Sequence, residues 1–450
     1  MKESYKTLLV QGEAKLGIWG IGYLGYSNMA TFASNGVRCI GYDIKTKRVD
    51  RINAGEVPID QMAHWLGFEV KPMMANELIY ATKDWTELIS PEVIAHLICI
   101  PTEREGRPYL AILEDTIHKL CTYREVATAR PPLVIIESTL TPNTVEQVVL
   151  PIIAEAGLEP GKSLLLGVAP RRDWFTHAGM TLRSLDRVVG GTDPESTRQT
   201  VSVLSIVSKK IHTAPDHQHA EIVKSVENAY RHMNITLANQ LTLAYPGVNM
   251  TEVLRLVGTK WNIEMYHPSF GAGGYCIPVS SQYVLDGASR PECLTLMSQT
   301  VEADARMAEI VADSVIRRGS QRVGILGLSY KGGLKVHILS PTLRLVELFK
   351  EVGIPVKVED PFYSTEEIRT ILGVETFTMP EGLSEFDTLL IVADHRQYAC
   401  IPHGRLLENL QSCRLVLDNV GIWGEVDFSS LPLKYYRVGS EWWLGEPGDQ

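Results

Sequence analysis

Cys276 stands near the end of Gly271-Ala272-Gly273-Gly274-Tyr275-Cys276-Ile277-Pro278, in which three of four successive residues are glycine. Such a run brings main chain close to whatever it faces. Its amides can activate a thiolate and hold an oxyanion, which a nucleophilic cysteine needs. The commoner fate of a free cysteine is burial without reactivity. Lys224 and Asn228 lie four residues apart in a stretch of helical character, so they share one helix face. A lysine and an amide side by side can stabilise a developing alkoxide and orient a water. Taken alone, the pair reads more simply as a solvated face with Glu227 and Arg231.

A third constellation is Gly20-Ile21-Gly22-Tyr23-Leu24-Gly25, with Asp43 ending the next apolar run. Between a strand and a helix, the first glycine makes a tight turn and the second admits a pyrophosphate. The third packs helix on strand, and helix N-terminal amides meet the phosphates. Asp43 would take both ribose hydroxyls and repel a 2′-phosphate, favouring NAD over NADP. Nearby Lys45, Lys47 and Arg48 weaken that preference slightly. Pro101-Thr102 and Ser138-Thr139 each follow an apolar strand, so both loops are expected to open toward the cofactor crevice. A dinucleotide beside a glycine-presented cysteine suggests oxidation through a thiohemiacetal and a thioester.

The elements that must position these residues follow from periodicity. Strands are expected at Lys15–Trp19, Val37–Tyr42, Ala95–Ile100, Leu133–Glu137 and Ser163–Val168, alternating with helices such as Tyr26–Ser34. That alternation is the pattern of a parallel sheet covered on both faces. From Ala220 to about Tyr245 the chain reads as one long helix without glycine or proline. More helix is expected over Met250–Val257 and from about Pro291 to Arg318. Near Gln321 the opening pattern returns: strand Arg322–Leu326, turn at Gly327, helix Ser340–Glu351, strand Val356–Val358, then Asp360-Pro361. Its glycines do not fit G-x-G-x-x-G, so the second copy is expected to hold something other than a dinucleotide. The fold class is α/β in three parts. A Rossmann-type NAD domain spans 1–213, a central helical segment with the cysteine loop 214–318, and a second, Rossmann-like nucleotide-binding domain 319–450.

The chain has 450 residues, 45% hydrophobic and 21% charged, which excludes a disordered or low-complexity protein. Lys plus Arg number 43 and Asp plus Glu 53, a net charge of −10 with no basic block, so nucleic acid is not an expected partner. Seven scattered cysteines without C-x-x-C read as reduced thiols of a cytoplasmic protein, and no apolar run approaches a membrane span. His212, His217 and His219 do not share a face, which argues for a solvated connection and no metal. Asp173-Trp174-Phe175 and Trp442-Trp443 read as packing residues.

In their order along the chain these features resemble the UDP-glucose/GDP-mannose dehydrogenase family. Further matching pieces are Asp50-Arg51-Ile52-Asn53-Ala54-Gly55, Arg187-Val188-Val189-Gly190-Gly191, Gly327-Leu328-Ser329-Tyr330-Lys331, Ser340-Pro341 and Ala393-Asp394-His395. The resemblance implies double oxidation of a sugar-nucleotide primary alcohol to a carboxylate at the expense of two NAD. It implies Cys276 as the thiol that captures the aldehyde, Lys224 and Asn228 as oxyanion stabilisers, and Thr139 positioning water or cofactor. Gly20, Gly22, Tyr23, Leu24, Gly25, Asp43, Arg48, Pro101, Thr102 and Thr139 would hold the cofactor. Lys224, Asn228, Phe270, Gly271, Gly273, Tyr330 and Lys331 would hold the substrate, and the long helix would build a homodimer.

This chain also departs from the family's pattern. Ser280 replaces an aspartate four residues after the cysteine, and Arg171 replaces a glutamate. Lys335-Val336-His337-Ile338-Leu339 replaces an acidic, arginine-containing run, and Asn419-Val420 stands where an arginine is expected. Two other readings therefore stand beside the first: a two-electron dehydrogenase stopping at aldehyde or ketone, and a non-catalytic nucleotide-sugar-binding relative.

Overall fold

The computed structural model describes residues 4–59, 62–126, 130–173 and 181–446. Trp174 and Phe175, read above as packing residues, lie outside them. The chain forms two compact units, one of residues 1–227 with 286–289, the other of 228–285 with 290–450.

In the first unit, β1 (Lys15–Trp19), β2 (Arg38–Tyr42), β3 (Ile79–Thr82) and β4 (Val93–Ile98) begin a sheet. A two-residue hairpin, β5 (Glu103–Arg104) and β6 (Arg107–Pro108), stands outside it. The sheet continues with β7 (Leu133–Ile136), β8 (Leu165–Val168), β9 (Arg187–Gly191) and β10 (Ile211–Thr213). Its order is β10-β9-β8-β7-β4-β1-β2-β3, parallel except where β8 meets β9. Every residue of β4 and β7 is buried, as continuous apolar strands under two helical layers should be. Strand order reverses between β1 and β4, which opens a crevice at the carboxyl ends of those two strands.

The long helix runs His217–Ala244, starting three residues before the periodicity suggested. Asp216 sets that start, its carboxylate accepting the His219 amide at 3.0 Å. The expected helix from Pro291 to Arg318 is broken into a short turn and two helices, Thr295–Ala305 and Met307–Arg317, with Arg306 between.

The second unit carries a fully parallel sheet of β11 (Val323–Leu326), β12 (Val356–Glu359), β13 (Thr388–Ile391), β14 (Leu415–Asp418) and β15 (Lys434–Arg437), in the order β12-β11-β13-β14-β15. The helix Pro341–Glu351 begins under a Ser340 cap with proline at its first position and buries Leu345, Val346 and Phe349. Trp443 joins that core, as a packing residue should. Among the described residues no helix is long and apolar enough to cross a membrane.

Candidate active site

In the first unit the glycine turn leaves β1 with Gly20 at φ +83°, and a Cβ there would stand 2.8 Å from the Cys99 carbonyl. A Cβ on Gly25 would fall 1.8 Å from the Gly20 oxygen, so helix Tyr23–Ala33 seats this closely on the turn only because Gly25 has none. Gly22 differs: nothing lies within 4 Å of its missing side chain, and as the helix N-cap it offers no side-chain cap to the first amides. Uncapped amides facing open space are what a pyrophosphate requires, so these residues fit NAD.

Asp43 is buried at the end of β2. Its Oδ2 accepts the Ile21 amide at 2.9 Å and Arg48 at 2.7 Å, and its Oδ1 accepts the Lys45 amide at 2.8 Å. Arg48 thus acts here as a clamp on the carboxylate. Thr102 donates to the Thr139 carbonyl and Ser138 donates to the Ile100 carbonyl at 2.7 Å, lacing together the loops after β4 and β7. Pro101 is exposed beside them.

The long helix fastens the Thr139 loop from one side. Ser225 donates to the Leu140 carbonyl at 3.3 Å, and Glu221 accepts the Val145 amide at 3.2 Å. Burial pushes the Glu221 carboxyl up to about 7, against the pull of the amides at Val145, Thr144 and Asn143. The folded chain therefore keeps a proton that the unfolded chain releases near 4.5. The Glu221 contribution to stability falls as pH rises through that window and levels off above it, by on the order of 3 kcal/mol in all. Glu221→Gln removes the titration, so its stability relative to wild type should rise from pH 5 to pH 8 in denaturant melts. An offset equal at both pH values would refute this.

The histidines divide. His212 and His219 are exposed beside Asp186 and Asp216, but His217 is buried with Nε2 3.0 Å from Glu146. For His217 the solvated reading fails, because the helix starts inside the packed layer. Among the described residues no cluster of three or more His, Cys, Asp or Glu is arranged to hold a metal.

The solvated reading of the helix pair fails too: Lys224 is 8% exposed and Asn228 2%. Lys224 Nζ lies 3.1 Å from Glu227, which also accepts Arg172 Nε at 2.8 Å. Arg171, read above as a departure, points into the first unit. It pairs with Glu137 at 3.5 Å and Asp173 at 2.5 Å and donates to Ser27, while Arg187 pairs with Glu137 at 2.6 Å. Burial would raise the Glu137 carboxyl, but Arg187 and Arg171 outweigh it and hold it below the usual carboxylate range. Arg171 belongs to this buried ion network under the glycine-turn helix.

In the second unit Cys276 is exposed immediately before helix Ile277–Asp286. Asn228 Nδ2 donates to the Cys276 carbonyl and to Ser280 Oγ, each at 3.0 Å. The position four residues after the cysteine thus holds a buried hydroxyl on the Asn228 amide. The glycines face Tyr330: a Cβ on Gly273 or Gly274 would stand 2.5 or 2.6 Å from it. Gly274 sits at φ +82° and donates to the Ile338 carbonyl at 2.8 Å, which pins the loop. Burial, then the neighbouring Cys276, push the Tyr330 phenol up to about 12. Burial also draws the Lys331 ammonium below its usual range, against Asp394. Phe270 is fully buried and stacks on Trp443 at 6.4 Å, so its ring is not offered to a ligand. Gly271 follows at φ +121°.

Residues that the motifs did not reveal complete the frame. Asp304 accepts the Ala272 amide at 3.0 Å and stands 3.2 Å from His232, which meets Ser281 at 2.8 Å. His232 lies four residues past Asn228 on the same helix face, a signal that spacing contained.

Three comparisons bear on this arrangement. The UDP-glucose/GDP-mannose dehydrogenase family's NAD binding domain matches residues 14–208, its central domain 218–305 and its UDP binding domain 324–425. The chain is 27% identical to a UDP-N-acetyl-D-mannosamine dehydrogenase of Pyrococcus horikoshii, covering 86% of this chain and 91% of that one. It is 26% identical to an NDP-N-acetyl-D-galactosaminuronic acid dehydrogenase of Ralstonia nicotianae, over 91% and 96%. The solved UDP-D-ManNAc dehydrogenase of Pyrococcus horikoshii superposes with a TM-score of 0.82 at 25% identity, over 94% of this chain and 99% of that one. With three successive domains matched in order, the chain belongs to the UDP-glucose/GDP-mannose dehydrogenase family of NAD-dependent oxidoreductases.

Proposed function

We propose that this enzyme oxidises a primary alcohol of a nucleotide sugar to a carboxylate, with Cys276 as the covalent nucleophile. The observation that carries the reading is an exposed thiol at a helix N-terminus, in a glycine loop whose carbonyl is held by Asn228. NAD bound at the glycine turn would accept a hydride in each of two oxidations. Lys224 and Asn228 would stabilise the alkoxide as the alcohol loses its proton, and Thr139 would help place water or cofactor. The thiolate adds to the aldehyde carbon to give a thiohemiacetal. Loss of a second hydride leaves a thioester, and water cleaves its C–S bond to release carboxylate and thiol.

Ser280 favours a second reading in one respect. A hydroxyl bonded to Asn228 is too weak a base to take the Cys276 proton, and a thiol that fails to capture the aldehyde lets it leave after one hydride transfer. NADH counted per nucleotide sugar consumed separates the two, with UDP-N-acetylhexosamines first in the panel because the relatives are so named. Two NADH with carboxylate released is the expected result. One NADH with aldehyde would favour the second reading, and binding without turnover would overturn both.

A homodimer through the long helix is part of the proposal. Tyr230 and Leu237 are exposed seven residues apart on one helix face, and Leu256 and Trp261 are exposed apolar residues in the same unit. Leu237→Glu should convert a dimer to a monomer in sedimentation velocity; a dimer in both proteins would rule this face out. All seven cysteines are free, which supports a reducing, cytoplasmic compartment.

A further inference from the structure

At the carboxyl edge of the second unit's sheet, Asp418 ending β14 and Arg437 ending β15 are register partners, yet they form no ion pair. The reason is the loop after β14. Asp418 accepts the amides of Val420, Gly421 and Trp423 at 3.0, 2.6 and 3.1 Å, and the Tyr435 hydroxyl at 2.8 Å. Its carboxylate is committed to folding its own loop. The Arg437 side chain lies across that loop instead. A Cβ on Gly421 would stand 2.7 Å from its Cδ and 2.8 Å from its Nε. Among the described residues its guanidinium makes no ion pair and no hydrogen bond.

Residues 419–426 contain no basic side chain, so Arg437 supplies the positive charge over this loop. The place is one where ligands of parallel sheets bind, outside the carboxyl ends of the strands. It also adjoins the chain leading to the cysteine. Asn419 accepts the Phe270 amide at 2.8 Å, and a Cβ on Gly439 would stand 2.6 Å from Pro268. Burial, and then the Arg437 charge, push the His267 imidazole below its usual range, so the adjacent group adds no second positive charge.

We propose that Arg437 binds an oxyanion of the nucleotide sugar, either a diphosphate oxygen or the sugar carboxylate that oxidation produces. A planar guanidinium with free N–H groups suits both, since each offers two oxygens to a fork. The proposal rests on the nucleotide-sugar reading above. Titration calorimetry with UDP and with UDP-glucuronate tests it on wild type, Arg437→Gln and Arg437→Lys, with NAD binding and melting temperature as controls.

Arg437→Gln should bind at least one of the two at least about tenfold more weakly, with NAD affinity and melting unchanged. Arg437→Lys, which keeps charge but loses the fork, should fall between. Weakening of both ligands assigns the phosphate; weakening of UDP-glucuronate alone assigns the carboxylate. Equal affinities of wild type and Arg437→Gln for both ligands would overturn the role of Arg437 and leave the nucleotide-sugar reading standing. A wild type that binds neither would overturn both.

Discussion

Cys276→Ala is expected to lower carboxylate formation by at least about a thousandfold, because it removes the proposed nucleophile. NADH release should stop at one per substrate, with aldehyde trapped by an added hydrazine and identified by mass. The choice of this thiol is physical. Three cysteines are exposed: Cys276, Cys293 and Cys400. Cys293 Sγ lies 3.9 Å from the Glu292 carboxylate, and that charge opposes a thiolate. Cys400 caps the C-terminal end of helix Arg396–Ala399, where the helix dipole opposes negative charge. Cys276 stands directly before helix Ile277–Asp286, whose N-terminus favours a thiolate, whereas Cys293, two residues before helix Thr295–Ala305, has the Glu292 charge beside it. Two NADH per substrate from Cys276→Ala at near the wild-type rate would remove the thiol from the mechanism. Loss of activity in Cys293→Ala with Cys276→Ala unaffected would move the role to Cys293.

What the sequence made legible are features that spacing along the chain determines. The glycine turn, both parallel sheets and the uninterrupted long helix follow from local periodicity and from where glycine and proline fall. The NAD fit at Gly22 could be anticipated for the same reason, since turn, helix start and open cradle lie within six residues. Residues whose roles depend on long-range approach were not legible. Arg171 read as a departure from the family's pattern but is enclosed with nearby Asp173 and with Glu137 and Arg187, which come from the distant ends of β7 and β9. Phe270 sits in a motif yet packs on Trp443, because the chain turns its side chain inward there. The clamp of Asp304 on Ala272, and the pairing that Asp418 denies Arg437, depend on how distant segments meet.

Lys224→Ala is expected to lower kcat by about a hundredfold to a thousandfold, the range for removing one preorganised donor from a developing oxyanion. A buried lysine is poorly solvated, so its charge acts at close to full strength on a nearby oxygen. Lys224 is buried with Nζ held 3.1 Å from Glu227. The fold should tolerate the change, because Glu227 keeps its bond from Arg172 and is not left as an unpaired charge. A melting temperature within a few degrees of wild type would therefore accompany the loss of rate. Glu227→Gln gives the complementary result. It leaves the ammonium in place but loosens its direction, so kcat should fall by only about tenfold. If Lys224→Ala turns over within threefold of wild type, the lysine is a structural partner of Glu227. In that case Asn228, which already holds both the Cys276 carbonyl and Ser280, must stabilise the oxyanion alone.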